Sequence, residues 1–296
     1  MRFICFHLMP HRPLDFVERA KHRSAWVVLP NTLYDPKRGA EKYQSYIDQL
    51  ASAEKLGFGA ITVNEHHQTA YGMMPAPNLI ASALIQRTRT VTMAILGRAL
   101  PLVGNPLSIA EEFAMLDNLS KGRIIAGFVR GIGTEYHATG LNPALSHERY
   151  QEAHDLIVAA WTRPGPFAFE GEHYNYRYVN LWPRPYQTPH PPIWIPSQGS
   201  SERIRWAAAP ERKYPFLVTF SAAEQVKRYL NIASRRGNSA MRHRAISSAG
   251  RCQSTSRQPT RGHESKQKRA SNRCSTNICP IHGRCFCRQA TCRSPR

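Results

Sequence analysis

Apolar residues along the chain fall into two alternating rhythms, short runs of β-prone side chains and longer stretches at helical spacing. Phe3 to Leu8 opens as a strand. Between Gly39 and Leu56, Tyr43, Tyr46, Ile47, Leu50, Ala51 and Ala53 recur along one helix face, and the pattern stops at Gly57. The same alternation continues as strand Gly59–Asn64, helix Asn78–Gln86, strand Val91–Leu96, helix Ser108–Leu119, strand Arg123–Val129 and helix Arg149–Trp161. Repetition of this kind predicts βα units around a parallel sheet. Aromatics, Gly171 and a proline-rich run break the rhythm from Phe167 to Pro192, which predicts a hairpin or excursion. Strand Ile193–Pro196, helix Ser201–Ala209 and strand Tyr214–Phe220 follow, then a helix that Ser221 would cap.

Six strands are predicted where a closed (β/α)8 barrel needs eight. The expected fold class is therefore α/β, a TIM barrel that is incomplete, with about six βα units over residues 1–232. After Ile232 neither apolar period persists, and residues 233–296 are expected to form a basic, cysteine-containing, disordered tail. Composition changes at the same point. Up to Ile232 there are 25 Lys and Arg against 19 Asp and Glu; beyond it there are 15 against the single Glu264. The formal net charge of +20 is thus mostly a property of the tail. Cys5 is the only cysteine of the body, which reads as cytoplasmic and free of disulfides. No run of eighteen apolar residues and no secretory signal order is present, so a soluble protein is expected.

Several motifs lie at or just beyond the predicted strand ends. They are Asn64-Glu65-His66-His67, the run Asn105-Pro106-Leu107-Ser108-Ile109-Ala110-Glu111-Glu112-Phe113-Ala114-Met115-Leu116-Asp117, Lys121-Gly122-Arg123, and Arg130-Gly131 with Glu135-Tyr136 just beyond. In this order they resemble the bacterial luciferase-like flavin-dependent monooxygenases, and the resemblance extends from about Met1 to Tyr229. Chemistry on a (β/α)8 barrel is carried by loops that follow the strands, where these motifs fall. Ala110, Phe113, Ala114 and Leu116 repeat at core spacing, so that helix is read as scaffold.

The resemblance implies reduced FMN delivered by a separate flavin reductase, O2 and a small organic substrate, with a deazaflavin (F420) in place of FMN in some relatives and a homodimer as a further expectation. Adjacent histidines point to different sides, so at most one of His66 and His67 faces a site. His66 is expected to be the proton carrier, since a neutral imidazole moves protons near pH 7 and the family places this histidine beside the flavin ring. A loop histidine that only braces Glu65 is the alternative. No third ligand shares the local spacing, and no metal is expected. Arg130 is expected at the flavin phosphate, with the small Gly131 beside it admitting the cofactor; a salt bridge to a helix is the competing role. Ser197, Gly199, Ser200 and Ser201 resemble the second half of the phosphate site, and serve equally as a helix cap. Gly97 and Ala99 match the place where family backbone lies against the flavin ring. Tyr136 is expected either at the flavin or substrate or as an exposed loop residue. Tyr174, Tyr176, Tyr178, Trp182 and Pro183 either cover a substrate or pack the excursion on the rim.

The tail admits three readings. Its Arg and Lys residues would attract nucleic acid, though it has no interleaved aromatics. Cys274, Cys279, Cys285, Cys287 and Cys292 near His282 would suggest zinc, though no CxxC pair is repeated. The simplest is a reading frame lost near Ile232, which explains the simultaneous change in charge, cysteine content and periodicity. Without two closing strands the chain could also be an inactive remnant of such an enzyme.

Overall fold

The computed structural model describes residues 3–197 and 200–218, together with the main chain of 246–247. The first half runs β1 (Ile4–Phe6), α1 (Phe16–Ala20), α2 (Pro36–Lys55), β2 (Ala60–Val63), α3 (Pro77–Arg87), β3 (Thr92–Ala99), α4 (Pro106–Ser120) and β4 (Ile124–Val129). Next come α5 (Gly133–Thr139), α6 (Ser146–Thr162), β5 (Phe167–Glu170), β6 (Asn175–Val179), β7 (Ile193–Ser197), α7 (Ser201–Ala207), β8 (Phe216–Val218) and β9 (Ile246–Ser247). One parallel sheet joins β1-β2-β3-β4-β7-β8-β9, and β5 pairs antiparallel with β6 as the expected hairpin. Register runs from Ile4 opposite Ala60, through Ala60 opposite Thr92 and Met93 opposite Ile124, to Ile195 opposite Phe216. Among the described residues this is a curled half-barrel with β1 and β9 at its ends.

Strands covered on both faces read as continuous apolar runs, and β2 and β4 do so in Ala-Ile-Thr-Val and Ile-Ile-Ala-Gly-Phe-Val. Ile61, Met93, Ile95, Ala126 and Phe128 pack outward against the helices, with Phe113, Tyr150, Leu156 and Trp161. Ala94, Leu96 and Ile125 form a smaller cluster with Trp194 and Leu217. In α4, Ile109, Ala110, Phe113, Ala114 and Leu116 are all buried, and the Trp161 indole donates to the Ala110 carbonyl at 2.9 Å. That helix is scaffold, as its spacing indicated.

The starts of α2 and α4 lie earlier than the apolar pattern suggested because their caps are polar. Asp35 accepts from the Lys37 and Arg38 amides before Pro36 opens α2, and Asn105 accepts from Leu107 before Pro106 opens α4. Lys121 ends α4 in the left-handed region (φ 54°) and Gly122 follows at φ 83°. Arg123 then donates to the carbonyls of Ser120, Val91, Ile85 and Thr88, so the Lys-Gly-Arg motif is a strand-entry brace. The excursion is tied down by Asp117, fully buried, which accepts from the Gln187 amide and side chain at 2.8 and 2.7 Å. Tyr174 is buried and Tyr176 donates to Asn105 at 2.7 Å, while Tyr178 and Trp182 face outward. Tyr174 and Tyr176 pack the hairpin onto the rim, and Tyr178 and Trp182 do not.

The short helices α1 and α5 carry no apolar period and were not expected. Strand β8 is shorter than Tyr214–Phe220, and residues 219–220 lie outside the described residues. So do the helix expected after Ser221 and the tail cysteines. The main chain of Ile246–Ser247 pairs in parallel with Leu217–Val218, extending the sheet beyond the compositional boundary at Ile232.

Glu54 joins the end of α2 to the entrance of β3, accepting from the amides of Arg89, Thr90 and Val91 and the Thr90 hydroxyl. Burial alone would raise its pKa; the hydrogen bonds outweigh that and hold it at about 2. A depressed carboxylate stabilises the fold fully above its unfolded value and loses that contribution as pH falls through the folded value. Glu54→Gln is therefore expected to lower stability at pH 7 by on the order of 1 kcal/mol, after allowing for solvent screening. Urea midpoints of the two proteins should converge between pH 4.5 and about 2; a gap that persists at acid pH would refute the assignment.

Candidate active site

Parallel strands deliver their carboxyl ends to one side of the sheet, bringing together residues 64–67 after β2, 97–99 at the end of β3 and 130–136 after β4. His66 Nδ1 lies 3.0 Å from Glu135 Oε1, across 69 residues of sequence. Glu135 is buried, and its other oxygen accepts the Ile132 amide at 2.9 Å, at the start of α5. Gly131 makes this turn feasible: its φ is +96°, and a Cβ there would meet Glu135 Oε2 at 3.1 Å.

His67 points the other way. Its Nε2 lies 2.7 Å from Glu65 Oε1, and Arg98 Nη1 donates to Glu65 Oε2 at 2.8 Å. Arg98 also approaches Glu112, which accepts from Asn78. The bond to Glu65 raises the His67 pKa against the opposing effect of burial. The histidine that braces Glu65 is thus His67, and the divergence expected of two neighbours holds.

An aromatic wall adjoins His66. Trp26, from the segment between β1 and α2, stacks on Tyr71 with centroids 4.0 Å apart, and both meet the His66 ring edge-on at 5.4 Å. Thr69 holds this segment by donating to the Ala25 carbonyl at 3.2 Å.

The remaining expected site residues are placed as follows. Tyr136 donates its hydroxyl to the Arg130 carbonyl at 2.9 Å, so its phenol closes the turn and only its ring is available to a ligand. Arg130 has no carboxylate within ion-pair distance among the described residues, so the helix salt bridge is not observed. Gly97 lies where β3 passes β4, and a Cβ on it would fall 2.6 Å from the Gly127 carbonyl oxygen. Sheet packing therefore accounts for that glycine without a cofactor. Ala99 is buried, its amide 3.4 Å from Glu65 Oε2. Ser197 ends β7, and Ser200 precedes α7 without a side-chain capping bond. Gly199 and the Ser201 side chain lie outside the described residues.

Three residues of this region were missed by the sequence reading: Glu135 as the partner of His66, Trp26, and Arg203. Arg203 lies over the Tyr150 ring, its guanidinium carbon 4.5 Å from the centroid, and its Nη2 is shielded from solvent without a hydrogen-bond partner. A buried donor without an acceptor is costly, and with the unpaired Arg130 it suits an anionic group such as a flavin phosphate. Gly133, two residues beyond Gly131, has nothing within 4 Å of its Cβ position, which leaves room beside Arg130. Donor atoms of Glu148, Glu172 and His173 lie within 4.8 Å of one another at the hairpin tip, but both acids are exposed, an ordinary surface arrangement.

A half-barrel whose strand ends gather a carboxylate-held histidine and Arg130 matches a known class. The family model for luciferase-like monooxygenases matches residues 23–258, and the chain belongs to that family of enzymes. The oxygenase component of a flavin-dependent trigonelline monooxygenase from Acinetobacter baylyi is 29% identical over 164 residues, 54% of this chain and 45% of that protein. A monooxygenase from Streptomyces bottropensis superposes with a TM-score of 0.65 at 26% identity, covering 81% of this chain and 67% of that one. The FMN complex of the oxygenating constituent of 3,6-diketocamphane monooxygenase from Pseudomonas putida superposes at 0.64 with 19% identity, over 83% and 64% of the chains, a likeness of fold. The chain spans about half the length of the curated relatives it matches. Among the described residues no helix is long and apolar enough to cross a membrane.

Proposed function

We propose that this chain holds reduced FMN at the carboxyl ends of β3, β4 and β7 and, with O2, oxygenates a small organic substrate, the reduced cofactor coming from a separate flavin reductase. The observation that carries the reading is the His66–Glu135 pair at the strand ends, a buried carboxylate fixing a partly exposed imidazole. The relative named as the oxygenase component of a flavin-dependent monooxygenase supports it, as does the FMN complex of the same fold.

Reduced flavin, when bound, would supply the electrons that activate O2. The residues of the chain do the rest. Glu135, already accepting the Ile132 amide, takes Nδ1–H of His66 and leaves the lone pair on Nε2. That tautomer follows from the bonding pattern. Nε2 accepts a proton from the reacting group and returns it, while Trp26 and Tyr71 exclude water from one side of the imidazole. Arg130, Ser197 and Ser200 would hold the phosphate of the bound cofactor, and the main chain at Gly97 to Ala99 would border its ring system.

Anaerobic titration of the full chain with reduced FMN, and with a reduced deazaflavin in parallel, tests this. The expected result is one FMN per chain and oxidation of the bound flavin on admitting O2. A folded chain that takes up neither cofactor would overturn the reading in favour of an inactive remnant; uptake of the deazaflavin alone would overturn FMN.

A further inference from the structure

The loops that follow β1 and β2 are tied into one unit at the mouth of the sheet. The His11 amide donates to the Ala70 carbonyl and the Met73 amide to the Met9 carbonyl, each at 2.8 Å. Within this unit the segment carrying Trp26 is set by hydrogen bonds to its main chain. Ser24 Oγ accepts from the Trp26 and Val27 amides at 3.1 and 3.4 Å, and the Thr69 hydroxyl donates to the Ala25 carbonyl while accepting the Tyr71 amide, both at 3.2 Å. Val28, two residues beyond Trp26, and Gln68, three before Tyr71, hold φ of 65° and 49°. A β-branched residue enters the left-handed region only against steric opposition. Val28 is 67% exposed, so burial of its side chain does not offset that strain. Strained backbone of this kind concentrates where a functional geometry is being held.

Core packing does not explain the aromatic pair either. The main core takes in Tyr46, Tyr150 and Trp161 and packs against Tyr43 and Trp206, but neither Trp26 nor Tyr71 belongs to it. Both rings, and His66 beside them, are partly exposed. With Tyr71 covering one face of the indole at a centroid distance of 4.0 Å, the opposite face of Trp26 is a flat, polarisable surface at the site. Offset stacking on such a face adds attraction beyond what burial of apolar area supplies, and a saturated group of the same size gains none of it.

We infer that the substrate of this site is a planar aromatic or heteroaromatic ring, and that Trp26 selects it by offering the face turned away from Tyr71 as a stacking platform. The inference rests on the proposed monooxygenase reading and narrows its small organic substrate to one chemical class. A ring laid on Trp26 takes up the same edge-on relation to the imidazole that Trp26 and Tyr71 have, at 83° and 73°. Platform and proton carrier then act on one molecule. Trp26 is a specificity-determining residue.

Saturation-transfer NMR titration of the full chain, with and without FMN, compares benzyl alcohol with cyclohexylmethanol. The two share a skeleton, and the saturated one is the more hydrophobic, so a purely hydrophobic pocket prefers cyclohexylmethanol. Wild type should bind benzyl alcohol roughly 3- to 10-fold more tightly. Trp26→Leu should abolish or reverse that preference by weakening benzyl alcohol alone, and Trp26→Phe should keep it. Both variants should melt within about 2 °C of wild type, since the indole lies outside the core.

Equal affinities in wild type, a preference for cyclohexylmethanol, or an aromatic preference that survives Trp26→Leu would each overturn the inference while leaving flavin uptake, and the reading built on it, intact. A Trp26→Leu chain that melts much lower would make the indole a structural wedge and overturn it as well. If the chain takes up no flavin yet shows a Trp26-dependent preference for benzyl alcohol, the monooxygenase reading falls and the aromatic site stands. If it shows neither, both fall.

Discussion

His66→Ala is expected to bind reduced FMN with wild-type affinity and to lose about 10²- to 10⁴-fold in the rate of substrate oxygenation, the usual worth of a positioned acid–base group. The split between binding and rate is the informative part. His66 approaches the site edge-on behind Trp26 and Tyr71, and nothing in its surroundings holds a phosphate, so its removal leaves the arginines untouched. Added imidazole should restore part of the rate, because the deleted ring leaves a space walled by aromatics. Glu135→Gln should act more mildly, by roughly 10- to 100-fold. A glutamine can still take the Ile132 amide, but its own N–H₂ then faces His66 Nδ1 and forces the proton onto Nε2, the wrong nitrogen for a base. Single-turnover mixing of each bound, reduced protein with O2 and substrate measures the effect. An oxygenation rate in His66→Ala within threefold of wild type would remove the histidine from the mechanism.

The parts of this arrangement that are continuous in sequence are legible there. Alternating apolar periods mark β1 to β4, β7 and helices α2, α3, α4 and α6, because a parallel strand covered on both faces and a helix with one buried stripe leave different spacings. The strand-end position of His66 and Arg130 follows from the same pattern. What the sequence hides is pairing across distance. Glu135 is 69 residues from His66, and its helix α5 has seven residues between Gly131 and Gly140, too few to show an apolar face. Arg203 is 53 positions from Tyr150, and a single arginine on an amphipathic stretch looks like a solvated charge until its Nη2 is found buried. Trp26 lies in a segment with no regular period, so nothing local marks it as the neighbour of His66. A clue to Glu135 existed in its spacing from Ile132, the N3 position of a helix start, which identifies a capping acid but not a histidine partner.

Gly127→Ala is expected to be the most damaging single-methyl change in the sheet, lowering stability by about 3 kcal/mol or more and the melting midpoint by roughly 6–12 °C. Ile95 pairs with Ala126 and Arg98 with Phe128, so β3 spends three steps where β4 spends two, leaving Leu96 and Gly97 opposite Gly127 alone. A Cβ on Gly127 would fall 2.2 Å from the Ile95 carbonyl oxygen and 3.0 Å from Leu96 Cα, both main-chain atoms that cannot swing aside. Relief requires β3 and β4 to separate where they enter the site, between residues 97–99 and Arg130. Two other glycines calibrate the effect. Gly57→Ala meets nothing within 4 Å but carries φ +79°, so it should cost only the left-handed penalty of about 1–2 kcal/mol. Gly133→Ala meets no neighbour and needs no positive φ, so it should be neutral or slightly stabilising. Thermal melts of the three variants without flavin should rank in that order. A Gly127→Ala protein melting within 2 °C of wild type, on the scale of about 2–4 °C per kcal/mol, would mean that the bulge relaxes freely. The close approach would then no longer explain Gly97, and its glycine would have to be credited to the cofactor instead.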